Sequence, residues 1–445
     1  MQTSSPVFVL GWLACAVLAL SPAAHAIPEV HLRVEARRDT PTLPSNTVTT
    51  AFLRTTILAP RSRQRAPLNV AIVIDKSGAL GQEDFAFAKT AVRAAVSQLG
   101  TDDIVSVVAF DATVQVLLPA THFRTVDAVA ESLEDLTAGG SNALFAGTVK
   151  GAAEVRKFVA RERVNRVILL SAGAANVGPA SPDALGQLGD SLRREGIAVT
   201  TIGLGLRHDE DLMIALAQRS GGSYYFVEHA RDLAGVLTQG VASLASVTLQ
   251  EVVLSIKLAD NVRPVRILGG DADIVGQTVT ARIPELQAGV LGDLVIECEV
   301  RATAPGTTTV ATVEVRYEES TTRRAGRVAL SVPAEFGPSA ESAGEDAATL
   351  GTRASVQAHL ALEKSELAVR LRDAGQVEAA RATLVESGRA LEQFATMLRT
   401  PALQTLAKAF AADAEGVGGP GWTQQRKAMR QRNHVSPNQI GGYHF

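Results

Sequence analysis

Two short loops hold the residues best placed to do chemistry. Asp75-Lys76-Ser77-Gly78-Ala79 follows the apolar run Val70–Ile74, and Ser171-Ala172-Gly173 follows the similar run Val167–Leu170. A carboxylate and hydroxyls at such spacing suit a hard divalent cation, which takes oxygen ligands. An oxygen-lined site asks for Ser at 79 and Asp at 172, and this chain has Ala at both. Other chemistry is hard to find. There is no phosphate-binding G-x-x-x-x-G-K-[ST] loop, no H-E-x-x-H zinc helix and no G-x-S-x-G nucleophile turn. Gly203-Leu204-Gly205 lacks the third glycine of a dinucleotide site and reads as a strand exit. His208 beside Asp209, Glu210 and Asp211 reads as the solvated start of a helix. A Ser–His–Asp set assembled only in space stays open.

The elements around the loops carry more information. Four apolar runs, Val70–Ile74, Ile104–Phe110, Val167–Leu170 and Val199–Leu204, alternate with amphipathic stretches. Phe85, Ala88, Val92, Val96 and Leu99 lie on one face of the first helix, and further helices are expected at 128–136, 143–159 and 183–195. Strands buried on both faces and separated by helices predict a doubly wound, mostly parallel α/β sheet over 68–242. Ligands of such sheets sit beyond the carboxyl ends of the strands, where both loops fall. Period-two alternation at Leu254, Ile256 and Leu258 and at Val313, Val315 and Tyr317 predicts an antiparallel β-sandwich over 243–333. Residues 27–67 hold strands that would complete that sandwich, so the α/β unit is inserted into it. A linker at 334–352, a helical hairpin at 353–413 and a flexible tail at 414–445 complete the layout. The basic clusters, Arg61, Arg63 and Arg65 and then Arg426 to Arg432, read as solvated linker and tail.

The chain has 445 residues and a formal charge of -3, which points away from nucleic acid. Val7 to Leu20 is apolar and precedes Ala24-His25-Ala26, the pattern of a signal peptide over residues 1–26 cleaved near Ala26. The mature chain would be periplasmic, at the cell surface or extracellular. No later segment is long and apolar enough for a membrane helix. Cys15 falls in the signal, which leaves Cys298 alone on an alternating strand as a buried structural thiol.

The marks from Val73 to Gly78, with Ala109-Phe110-Asp111, Gly139-Gly140-Ser141-Asn142, Leu170 to Gly178 and Ile202 to Gly205, resemble a von Willebrand factor type A domain. The layout is similar to bacterial secreted proteins that hold this domain between flanking β-strands, with a helical C-terminus. The resemblance implies a metal-ion-dependent adhesion site of pattern Asp-x-Ser-x-Ser, then Thr, then Asp. Asp75 and Ser77 match, and Ser141 stands at the Thr position. Ala79 and Ala172 replace the other two ligands. A degenerate site on Asp75, Ser77 and Ser141 would hold Mg²⁺ weakly or not at all, and no other cofactor is implied. Without an ion, Asp75 could accept backbone N–H groups and Ser141 could cap the helix that follows. Lys76, Asp111, Asn142 and Asn176 would face a protein partner, and Lys76 could draw an anion. The expected function is non-enzymatic protein interaction or adhesion without metal. A weak Mg²⁺-dependent adhesion module remains an alternative, as does a channel-associated subunit or an unrecognised enzyme.

Overall fold

The described residues of the computed structural model are 32–39, 42–44, 48–62, 64–289, 291–301, 304–337 and 347–434. The signal segment expected at 1–26 lies outside them, as do Arg63, the middle of the expected linker and residues 435–445.

Three strands come first: β1 (Arg33–Arg38), β2 (Thr42–Pro44) and β3 (Val48–Leu58). The α/β unit follows with β4 (Leu68–Asp75), α1 (Gln82–Val96), β5 (Ile104–Phe110), β6 (Val114–His122), α2 (Val126–Leu133) and α3 (Leu144–Arg156). It continues with β7 (Val164–Ser171), α4 (Pro182–Arg194), β8 (Ala198–Leu204), α5 (Glu210–Ser220), β9 (Tyr224–Val227) and α6 (Leu233–Ala245). The sheet order is β6-β5-β4-β7-β8-β9, parallel except for β6. Every residue of β4, β5, β7 and β8 is buried, as apolar runs covered on both faces require. Helices α1, α2 and α6 pack one face, and α3, α4 and α5 pack the other. Gly151 of α3 lets that helix sit against β4, because a Cβ there would collide with the Val73 side chain. The chain turns from β5 on one side of β4 to β7 on the other. The ends of β4 and β7, which carry Asp75 and Ser171, therefore flank the switch point.

The sandwich strands are β10 (Val247–Leu258), β11 (Val262–Leu268), β12 (Ala272–Val275), β13 (Thr278–Gln287), β14 (Leu291–Arg301), β15 (Gly306–Glu319) and β16 (Ala325–Gly337). One sheet runs β1-β3-β14-β11 and the other β12-β13-β10-β15-β16-β2. Strand β3 pairs with β14 from Val48 opposite Arg301 to Leu58 opposite Leu291, so the α/β unit is an insertion between sandwich strands. Cys298 is buried between the sheets, and burial pushes its thiol up to about 12, which keeps it unreactive.

The C-terminal region differs from expectation. The two arms of the expected hairpin are present as α7 (Ala347–Asp373) and α8 (Val377–Met397), but among the described residues two more helices follow, α9 (Pro401–Gly416) and, where a flexible tail is expected, α10 (Trp422–His434). The expected linker is also shorter, because β16 runs to Gly337 and α7 begins at Ala347. Helix α7 is pinned to the sandwich at Asp293, which accepts from Arg54 Nε at 3.0 Å and from Ser355 Oγ at 2.7 Å. Helix α10 is the larger surprise. Its basic run is not solvated: Lys427 is 2% exposed, and Arg426, Arg430 and Arg432 all form ion pairs. Arg65 likewise forms a fork with Asp103.

Candidate functional site

Asp75 ends β4 fully buried, and its carboxylate is the hub of the two loops. Oδ1 accepts from Ser77 N at 2.8 Å. Oδ2 accepts from Asn142 Nδ2 at 2.7 Å, Ser171 Oγ at 3.0 Å, Ala172 N at 3.0 Å and Gly173 N at 3.3 Å. One buried carboxylate thus ties together the loop after β4, the loop between α2 and α3, and the end of β7 with the loop that follows it. Asn142 extends the tie. Its amide also donates to Gly173 O at 3.3 Å, its N–H donates to Asn176 Oδ1 at 2.7 Å, and its carbonyl accepts from the N–H groups of Asn176 and Val177.

The remaining predicted residues divide. Lys76 and Asp111 pair with each other. Burial works against the Asp111 carboxylate, but hydrogen bonds from Lys76 and Thr113 hold it below the usual range. Lys76 therefore has its anion inside the chain, contrary to the expectation that it draws one from solution. Asn142 is 2% exposed and cannot face a partner as expected, because its amide is spent on Asp75. Asn176 is exposed. Ser141 is half-buried and does not cap the next helix, which begins at Leu144 after an Ala143 with no side-chain cap. Ala79 is half-buried and Ala172 is buried, each presenting a methyl group. Ser77 Oγ and Asn142 Oδ1 are buried without a hydrogen-bond partner.

A second constellation was hidden from sequence reasoning. Arg207, on the loop after β8, donates to the carbonyl of Ala79. The next residue, His208, is 2% exposed and not a solvated helix start. Its Nδ1 lies 2.8 Å from Gly205 O and its Nε2 lies 2.9 Å from the Tyr224 hydroxyl. Lys427 of α10 reaches in to donate to His208 O at 2.7 Å and to the Glu210 carboxylate. Burial pushes Glu210 up, yet Lys427 and Arg426 outweigh it and hold this carboxyl below its ordinary range. Arg426 also bonds Asp211 and Asp373, each at 2.9 Å. Gln431 accepts from Phe226 N at 2.7 Å and so closes part of the open edge of β9. The sequence signal was a basic run matched to the acidic run Glu210-Asp211, more than 200 positions apart.

His208 makes stability depend on pH. Burial, aided by the Lys427 charge, lowers its pKa from 6.5 to about 4. A folded pKa below the unfolded one means that the unfolded chain takes up the proton first. The contribution is complete above pH 6.5 and is lost as pH falls toward 4, by about 3 kcal/mol in all. Urea titrations from pH 7 to pH 4.5 should show this fall. It should shrink in His208→Gln, and an unchanged slope in that variant would exclude His208 as the source.

Residues 69–239 match the von Willebrand factor type A domain. An uncharacterized protein of Synechocystis is 27% identical over 270 residues, 58% of this chain and 63% of that protein. The chain thus spans less than two thirds of that relative's length. A solved von Willebrand factor type A protein from Catenulispora acidiphila superposes with a TM-score of 0.70 at 14% identity, over 92% of this chain and 97% of the other. The ArnB paralog VWA2 from Sulfolobus acidocaldarius gives 0.60 at 15%, over 91% and 99%. Identities this low speak for the fold, and they do so across the sandwich and the helices as well as the α/β unit. The chain therefore carries a von Willebrand factor type A domain, set within a β-sandwich and a helical frame.

Proposed function

We propose that this chain is an exported, non-enzymatic protein-interaction module whose loop face binds its partner without a resident divalent ion. The single observation behind this reading is the state of Asp75. Its carboxylate already accepts from five protein donors, which do for it what an ion-bound shell of water would do. Two further facts support it. Mg²⁺ demands octahedral oxygen geometry, and the positions at 79 and 172 offer methyl groups. Asp111, the other carboxylate of these loops, is already paired with the ammonium of Lys76. Export rests on the signal pattern that ends at Ala26. Among the described residues no helix is long and apolar enough to cross a membrane.

Ser77 Oγ, buried and without a partner, favours a second reading in which Mg²⁺ binds weakly through Asp75, Ser77, Ser141 and water. Thermal unfolding separates the two. Millimolar Mg²⁺ or Mn²⁺ should leave the wild-type midpoint where chelator puts it. The double variant Ala79→Ser/Ala172→Asp should melt lower in chelator, because a second carboxylate then faces Asp75. Mg²⁺ should stabilise it by about 2.7 kcal/mol at a hundred times its Kd. A saturable rise in the wild type would instead support the weak-ion reading.

A further inference from the structure

Beside the Asp75 loop opens a cleft of about 540 Å³, within the range of ligand sites. Ala79 and Ala172 both line it, together with Leu80 and Leu204. The substitutions that remove two oxygen ligands thus also contribute to an apolar floor. Phe87 and Leu206 line the same cleft at 39% and 44% exposure. Phe87 is the one aromatic among the exposed large apolar side chains of the described residues. Single exposed apolar groups are ordinary, but two that share one concave surface form a patch.

The charges around this floor are unevenly paired. Glu83 and Asp84 of the first turn of α1 line the cleft and form no ion pair among the described residues. The loop after β8 brings Arg207, and the segment after β9 brings Arg231 together with Glu228 and His229. Glu228 already accepts from Gln424 at 2.8 Å and lies 3.7 Å from His229. Arg207 also anchors the Ala79 carbonyl, and Arg231 forms no ion pair among the described residues. The acidic first turn suits the helix dipole on its own account. That preference does not explain an apolar floor with arginines on its other side.

We infer that this cleft is the recognition site, and that it takes an extended protein segment with one apolar side chain between a basic and an acidic residue. The apolar side chain seats against Ala79, Ala172 and Leu204, with Phe87 and Leu206 closing over it. The basic residue meets Glu83 and Asp84, and the acidic one meets Arg231. This rests on the metal-free reading above and supplies the chemistry of its partner.

Fluorescence anisotropy tests it on the full chain in chelator. The probes are labelled heptapeptides centred on Lys-Leu-Asp and on the reverse, Asp-Leu-Lys, with Gly replacing Leu as control. At least one orientation should bind saturably, and the Gly control should not. Leu206→Asp and the double variant Glu83→Lys/Asp84→Lys, all at exposed positions, should each weaken binding about tenfold or more. Failure of both peptides to bind, or metal-free binding that ignores these substitutions, overturns the cleft assignment. Binding that needs Mg²⁺ yet responds to the substitutions overturns the metal-free reading and leaves the cleft in place.

Discussion

Replacing Lys427 by Met should destabilise the protein by about 3–5 kcal/mol, the usual cost of removing one partner from a buried ion pair. The Lys427 ammonium is almost wholly inside and has two partners, the Glu210 carboxylate and the His208 carbonyl. Its removal leaves Glu210, 5% exposed, with Arg426 as its remaining cation. Met retains the length of the stem, so lost packing contributes little. The double variant Lys427→Met/Glu210→Gln should recover part of the loss, since no unpaired charge stays buried. Urea unfolding followed by circular dichroism measures both. His208 offers a second reading of the same variant: without the Lys427 charge its pKa should rise and the acid loss of stability should lessen. A Lys427→Met protein within about 0.5 kcal/mol of wild type would mean that α10 does not hold the domain.

What the sequence makes legible follows the physics of each element. Strands β4, β5, β7 and β8 are buried on both faces, so their composition announces them whatever their neighbours. Strand β6 is an edge strand interrupted by Pro119, with none of its residues fully buried, and its pattern is correspondingly faint. Helix α10 escaped notice for a different reason. It is anchored by charge, and its partners Glu210, Asp211, Asp373 and Glu366 lie far along the chain. A basic run with no visible partner looks like a tail. In the site, Asp75 was legible from its motif, but Asn142 was not legible as its partner. An Asn after Gly-Gly-Ser could equally face solvent, and only the approach of three loops turns its amide inward. Arg207 and the cleft share that fate, because concavity is assembled from α1, β8 and the segment after β9 and leaves no mark in any one of them.

Asp75→Ala is the second large effect. Five donors lose their acceptor at once, and four of the five belong to the end of β7, the loop after it and the loop before α3. A buried donor left without a partner costs about 1–3 kcal/mol, and shared relaxation keeps the total below the sum, near 3–5 kcal/mol. The sign of this effect in the absence of metal separates the two views of the site. A carboxylate kept for an ion is a burden to the ion-free protein, and its removal is neutral or stabilising until metal is added. A carboxylate kept as a structural hub is needed whether or not metal is present. The decisive measurement is the thermal midpoint of wild type and Asp75→Ala, each in chelator and in millimolar Mg²⁺. The hub account predicts a variant that melts well below wild type in chelator, with the same gap in Mg²⁺. Equal midpoints in chelator, with Mg²⁺ raising the wild type alone, would contradict it.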